Sequence, residues 1–271
     1  MSDQPASPPR LVATDLDGTL LDERGRVSPR TREVLLELDR LGVPVVFVTG
    51  RPIRWMDALW EEVGGLGVAL LSNGAVVYDV ATHSVRSAIY VDNEVALEVA
   101  DRIREQIPGT AFGVERTSGF ALEPAFLARH DKPADIEIGP LDSILDGAVV
   151  KLLAQHEEIP AEPFWQQVDQ LVGDLVDTTW SSTFALVEMS RSGVTKASAL
   201  AGLAESLGIE AAEVVAFGDM PNDVAMLQWA GRSYAMSNAH PLAKAAAGQL
   251  APPHQHDGVA EVLSELFGLE R

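Results

Sequence analysis

Cysteine is absent from all 271 residues, which removes disulfides and thiolate chemistry and agrees with a reducing cytoplasm. Basic residues are scarce: 20 Lys and Arg stand against 40 Asp and Glu, a formal net charge of −20. That surplus argues against nucleic acid or an anionic membrane surface as a partner, because both recruit basic patches. A phosphorylated ligand would need a local positive site, made by a metal ion and a few placed cations. No apolar run is long enough to cross a bilayer. Met1 to Arg10 is polar and Pro-rich, without the apolar core of a signal peptide. The expectation is a soluble, cytoplasmic protein. Its 46% apolar content supports packed cores, and its length leaves room for roughly two domains. Nothing in the sequence bears on oligomeric state.

The chain is organised around Asp15-Leu16-Asp17-Gly18-Thr19, which follows the apolar Leu11-Val12-Ala13. An apolar run broken in this way reads as a buried strand ending in a functional turn. Open α/β sheets present their chemistry at the carboxyl ends of such strands. Two carboxylates this close repel, so a cation or a shared proton must hold them together. Hard oxygen ligands favour magnesium. A calcium loop of the EF-hand type fails, because the twelfth position from Asp15 is Arg26 rather than glutamate.

Downstream, Ser28-Pro29 opens a helix with Val34, Leu35, Leu38 and Leu41 as its buried stripe, and Gly42 stops it. Val43 to Val48 is a second strand, ending in Thr49-Gly50-Arg51. Pro52 starts a helix with Trp55, Met56, Leu59, Trp60 and Val63 on one face, a pattern of core packing. Val68 to Leu71 is a third strand, followed by Ser72-Asn73-Gly74. Repeated strand–turn–helix units predict a Rossmann-like, doubly wound parallel sheet. After Ala81 the texture changes. Strands are expected at Ser87 to Val91, Thr110 to Glu115, Gly147 to Gln155 and Thr183 to Met189. Helices are expected after the Asp92 cap and from Glu162 to Val172, while Pro124 to Asp146 carries no clear pattern. Strands with fewer helices between them suggest an α+β domain with an antiparallel sheet. From Val194 the α/β rhythm returns, with a helix from Lys196 to Leu207, a strand from Val214 to Phe217 ending in Gly218-Asp219, and Asn222-Asp223 beyond it. The expected organisation is a core in two segments, 1–81 and 191–271, with an α+β cap inserted at 82–190.

The set Asp15-Leu16-Asp17-Gly18-Thr19, Val48-Thr49-Gly50-Arg51, Ser72-Asn73-Gly74-Ala75, Lys196 and Gly218-Asp219-Met220-Pro221-Asn222-Asp223 resembles the motifs of the haloacid dehalogenase superfamily. It is most similar to the Cof-type phosphatases, and Ser237-Asn238-Ala239 and His256-Asp257-Gly258-Val259-Ala260 look like that group's C-terminal pattern. Ala197 is a departure, since a glycine often follows the lysine. Between Asp15 and Thr49 there is room only for a turn, a helix and a strand. Between Thr49 and Lys196 a whole domain fits, which in family terms resembles a C2-type cap.

The resemblance implies a magnesium-dependent phosphatase of small phosphomonoesters, sugar phosphates among them, working through an aspartyl-phosphate. Asp15 is then the nucleophile and Asp17 the general acid and base. Thr49, Gly50, Lys196 and Asn222 bind the phosphate. The metal is held by Asp15, the Asp17 backbone carbonyl and Asp219, with Asp223 orienting that shell or Lys196. Arg51, Asn73 and Gly74 are expected close to the substrate, a small phosphorylated metabolite. Taken singly, each motif has a plainer reading: Thr49-Gly50 as a strand end, Lys196 as a solvated lysine, Asn73-Gly74 as a turn. Their joint order and spacing favour catalysis. A phosphomutase sharing the intermediate and a non-catalytic phospho-ligand module are the alternatives.

Overall fold

A computed structural model describes residues 7–63, 67–128 and 136–269. The first part of the chain forms β1 (Leu11–Thr14), α1 (Pro29–Arg40), β2 (Val45–Val48), α2 (Asp57–Glu62), β3 (Val68–Leu71), β4 (Val76–Asp79) and β5 (Ser84–Ala88). The middle forms α3 (Asn93–Gln106), β6 (Ala111–Arg116), β7 (Gly119–Leu122), β8 (Glu137–Ile138), α4 (Leu141–Ile144), β9 (Val149–Gln155), α5 (Ala161–Val172), β10 (Val176–Thr179) and β11 (Leu186–Arg191). The last part forms α6 (Lys196–Ser206), β12 (Val214–Gly218), α7 (Val224–Trp229), β13 (Arg232–Met236), α8 (Pro241–Ala246), β14 (Gln249–Ala251) and α9 (Gly258–Phe267).

The larger sheet runs β14-β13-β12-β1-β2-β3-β4-β5, parallel from β14 to β3 and closed by the antiparallel β4 and β5. The four residues of β1 and the four of β2 are buried and, but for Thr14, apolar, as expected of strands covered by helices on both faces. In register, Thr14 lies beside Phe217 of β12 and Phe47 of β2. The residues that follow these three neighbouring strands therefore emerge side by side at one edge. α1 begins as the sequence predicts, with the Ser28 hydroxyl accepting from the Thr31 N–H at 3.0 Å and Pro29 in the first turn.

The smaller sheet runs β10-β11-β9-β6-β7-β8 and is mostly antiparallel. One face packs Phe112, Val114, Leu152, Ala154, Val187 and Met189 against Val99 and Ile103 of α3 and Phe164 and Val168 of α5. The α/β core with an inserted α+β unit is the architecture expected.

Four local expectations are corrected. The strand anticipated at Ser87 to Val91 is β5, which pairs with β4 in the larger sheet, so the change of texture comes later than Ala81. Leu41 is 56% exposed, because α1 ends at Arg40. The helix after Pro52 is two pieces, a 3-10 turn at Ile53–Trp55 and α2, and Trp55 is exposed while Met56 and Trp60 are buried. β4, β7, β8, β10 and β14 match no strand expected from the sequence. Part of Pro124 to Asp146 lies outside the described residues. Among the described residues no helix is long and apolar enough to cross a membrane.

Candidate active site

Asp15 leaves β1 with its amide bonded to the Phe217 carbonyl at 3.0 Å, which pins the turn beside β12. Gly18 sits at φ +74°, and a Cβ there would lie 2.3 Å from Oδ2 of Asp219. Only glycine allows that approach. Thr19 donates its hydroxyl to Oδ1 of Asp219 at 3.1 Å, and Asn238 donates to the Gly18 carbonyl at 3.0 Å. The early aspartate turn is thus braced by the later one.

Lys196, the first residue of α6, is 1% exposed, which disposes of the solvated reading. Its ammonium donates to Oδ1 of Asp15 and Oδ1 of Asp223, each at 2.6 Å. Oδ2 of Asp223 accepts the amides of Asp219 and Met220, at 2.9 and 3.0 Å. Both oxygens of Asp223 are therefore engaged, one by a cation and one by backbone. Asp15, Asp219 and Asp223 offer carboxylate oxygens within 4.8 Å of one another. Burial pushes Asp15 well above the usual carboxylate range, and the Lys196 charge offsets this only in part. Burial, then the charge of Asp223, raises Asp219 to about 7. Three carboxylates crowded round one buried ammonium are relieved either by retained protons, the direction of both shifts, or by a divalent cation such as magnesium, which hard oxygen donors suit.

These groups open on a cavity of about 880 Å³ between the two sheets. Asp15, Asp17, Gly18, Thr49, Gly50, Arg51, Asp219 and Asn222 line its floor. Arg51 grips the Asp17 carboxylate, an ion pair that sequence spacing does not reveal. Asn73 is 3% exposed and stands behind the wall rather than on it, as does Gly74. Asn73 sits at φ +58°, its amide bonded to the Thr49 carbonyl at 3.0 Å. A Cβ on Gly74 would meet the Thr195 carbonyl at 2.6 Å, just before Lys196. These two expected substrate neighbours act instead as braces between the turn after β2 and the start of α6.

The opposite wall was missed from sequence. It comprises Glu115, Lys151, Leu153, Ser181, Ser182, Thr183, Leu186 and Glu188 of the inserted unit, with Arg54 and Trp55 at the rim. Arg54 pairs with Glu115, and its guanidinium lies 4.4 Å from the Phe120 ring centroid. A signal was available, since Lys151 interrupts an apolar seven-residue strand whose alternate residues face the helices.

A doubly wound α/β core, with paired aspartates at the end of a central strand and an α+β insert above them, defines the class. The sequence pattern described as haloacid dehalogenase-like hydrolase matches residues 12–263, and the chain belongs to that family, in its Cof-type phosphatase group. A 5-amino-6-(5-phospho-D-ribitylamino)uracil phosphatase of Bacillus subtilis is 27% identical over 96% of this chain and 98% of its own. Pyridoxal phosphate phosphatase of Escherichia coli is 27% identical over 94% and 97%. HMP-PP phosphatase of Yersinia enterocolitica is 30% identical over 89% and 88%. Among solved structures, a Streptococcus mutans protein shares the fold with a TM-score of 0.83 at 22% identity, covering 96% of this chain and 99% of that one.

Proposed function

We propose that this enzyme is a magnesium-dependent phosphatase that hydrolyses small phosphomonoesters, sugar phosphates among them, through an aspartyl-phosphate on Asp15. The observation that carries the reading is the Lys196 ammonium shared between Asp15 and Asp223 beneath the cavity floor, with Asp15 and Asp219 on it. The relatives named for small phosphorylated metabolites support it. Asp15 attacks phosphorus while the bond to the leaving oxygen breaks, and Asp17, once turned from Arg51, gives that oxygen its proton. Asp17 then takes a proton from water as the water attacks the phosphorus of the aspartyl-phosphate. Inorganic phosphate leaves and Asp15 is restored. The Thr49 hydroxyl accepts from the Arg51 amide at 3.1 Å, which leaves its own proton for a phosphoryl oxygen. Lys196 holds the attacking carboxylate in place and offsets its repulsion from the phosphoryl group. When bound, magnesium would neutralise phosphoryl charge. Asp15, Asp219 and the Asp17 backbone carbonyl would hold it, with Asp223 fixing Lys196 behind them. The inserted unit serves as the cap that excludes bulk water and carries specificity.

The test is phosphate release from a panel of phosphorylated metabolites and an aryl phosphate, with magnesium and with excess EDTA. Release that requires magnesium is expected. No release from any ester, or full turnover after metal stripping, would overturn the reading.

A further inference from the structure

The face of the smaller sheet that looks toward the larger one carries three buried charged residues to which the chemistry above gives no role: Glu115, Lys151 and Glu188. They stand on adjacent strands, with Glu115 directly opposite Lys151 and Glu188 opposite Leu153. Oε2 of Glu188 accepts the Lys151 ammonium at 2.7 Å and the Asn73 amide nitrogen at 2.7 Å. Its Oε1 accepts the Ser181 hydroxyl at 2.6 Å. Lys151 also donates to the Gly50 carbonyl at 2.8 Å. A buried ion pair of the insert therefore reaches the turns that follow β2 and β3. Lys151 and the three hydrogen bonds outweigh burial and hold Glu188 below the usual carboxylate range, so it stays an acceptor.

An ionised carboxylate can only accept, so Asn73 must turn its NH₂ toward Glu188. Its carbonyl oxygen then faces Asn222, whose Nδ2 lies 3.1 Å away. That oxygen also only accepts, so Asn222 must present its own NH₂. The Asn222 carbonyl oxygen is buried with no hydrogen-bond partner among the described residues, so it does not fix the amide's orientation. Gly50 lies in the same knot, where a Cβ would stand 3.1 Å from Oδ1 of Asn73 and 3.5 Å from Oε2 of Glu188.

We propose that Glu188 is a positioning residue: through Asn73 it orients Asn222, so that Asn222 offers an N–H rather than a lone pair to the phosphoryl group. Lys151 is its counter-charge and fixes the Gly50–Arg51 peptide. The insert then completes the phosphate site as well as covering it. This rests on the phosphatase reading.

The test uses the full chain, with inorganic phosphate as an inhibitor and an aryl phosphate as substrate. Asn73→Gly keeps the left-handed backbone and deletes the relay. It should raise KM and the phosphate inhibition constant together, by roughly ten- to hundredfold, while kcat falls less. Glu188→Gln removes the charge that makes this group an acceptor only, so it should raise KM and the phosphate inhibition constant in the same direction as Asn73→Gly. Asn222→Ala should cost much less in the Asn73→Gly background than in wild type. Unchanged phosphate affinity in Asn73→Gly or in Glu188→Gln, or independent effects of the Asn73 and Asn222 variants, would each overturn the proposal. Should Glu188→Gln fail to fold, Glu188→Asp, which keeps the charge but shortens its reach to Asn73, takes its place with the same expectation. A wild-type enzyme that neither binds phosphate nor cleaves esters would instead overturn the phosphatase reading.

Discussion

Arg51 holds Asp17 by both carboxylate oxygens, with Nε 2.7 Å from one and Nη2 2.5 Å from the other. The Asp17 side chain is 60% exposed and that of Arg51 only 18%, so the aspartate is the partner free to move. In the proposed mechanism, proton transfer by Asp17 requires this pair to part. Asp17 and the guanidinium that holds it therefore line the same cavity.

Asp17→Asn should slow the two half-reactions unequally. General acid–base help is worth roughly 10²–10⁴ in rate. An aryl phosphate with an acidic phenol leaves without a proton, so Asp15 should still be phosphorylated. Hydrolysis should then limit, giving a burst of about one phenol per site, as expected of an accumulating covalent intermediate. Alkyl phosphates should show a larger loss and no burst. Equal slowing of both, rescued by added magnesium and without a phosphoenzyme by mass spectrometry, would remove Asp17 from this role.

The acidic cluster makes stability depend on pH in a definite direction. Asp219 titrates at about 7 in the folded protein, against about 3.9 unfolded. Between those values the folded state binds a proton that the unfolded state does not, so stability falls as pH rises from about 4 to about 7. Asp15 shifts in the same direction. Asp79, drawn down to about 2 chiefly by its hydrogen bond from Arg86, acts below this window. In EDTA the wild type should lose melting temperature relative to Asp219→Asn on going from pH 5 to pH 8. Magnesium should restore the wild type at pH 8 and do little at pH 5. Equal stabilisation by magnesium at both pH values would contradict the assignment.

Gly18→Ala should disable the site while leaving the fold. The added methyl would press on Oδ2 of Asp219 and force an unfavourable backbone at φ +74°. A displacement of about an ångström in such a site costs roughly a hundredfold in rate. The magnesium concentration for half-maximal activity should rise as well. Unaltered magnesium dependence would show that Asp219 is not held by this contact.

Removing Lys196 strands buried carboxylates. Lys196→Met should cost about 3–5 kcal/mol in urea unfolding, the range for breaking one side of a buried pair. It should also abolish turnover. A loss below about 1 kcal/mol would mean the ammonium is not the counter-charge of Asp15 and Asp223.

The catalytic floor was legible because Asp15, Thr49 and Asp219 each end an apolar run, and neighbouring parallel strands must bring such ends together. Asn73 and Gly74 were visible as a turn, but their position behind the wall depends on how closely the start of α6 approaches. Of the opposite wall only Lys151, a charge inside an apolar strand, left a mark in the sequence. Glu115 and Glu188 lie far from it in sequence and join it only through antiparallel register. Leu41 shows the same limit at the scale of one residue. Its spacing fits the α1 stripe, but the helix stops before reaching it.

The insert is entered and left at neighbouring points. The Ile89 amide still bonds to Ala75 at 2.8 Å, and two residues later the Val91 amide bonds to Val149 at 2.8 Å. On the return path Arg191 lies 4.0 Å from Asp92, and Gly193 turns the chain at φ +84°. Both crossings are short and adjacent, and neither interrupts a strand of the larger sheet. The insert is therefore a cassette. If the insert carries specificity as proposed, one of different shape spliced between the same two points would change the substrate repertoire while leaving Asp15 and Asp219 to the larger sheet.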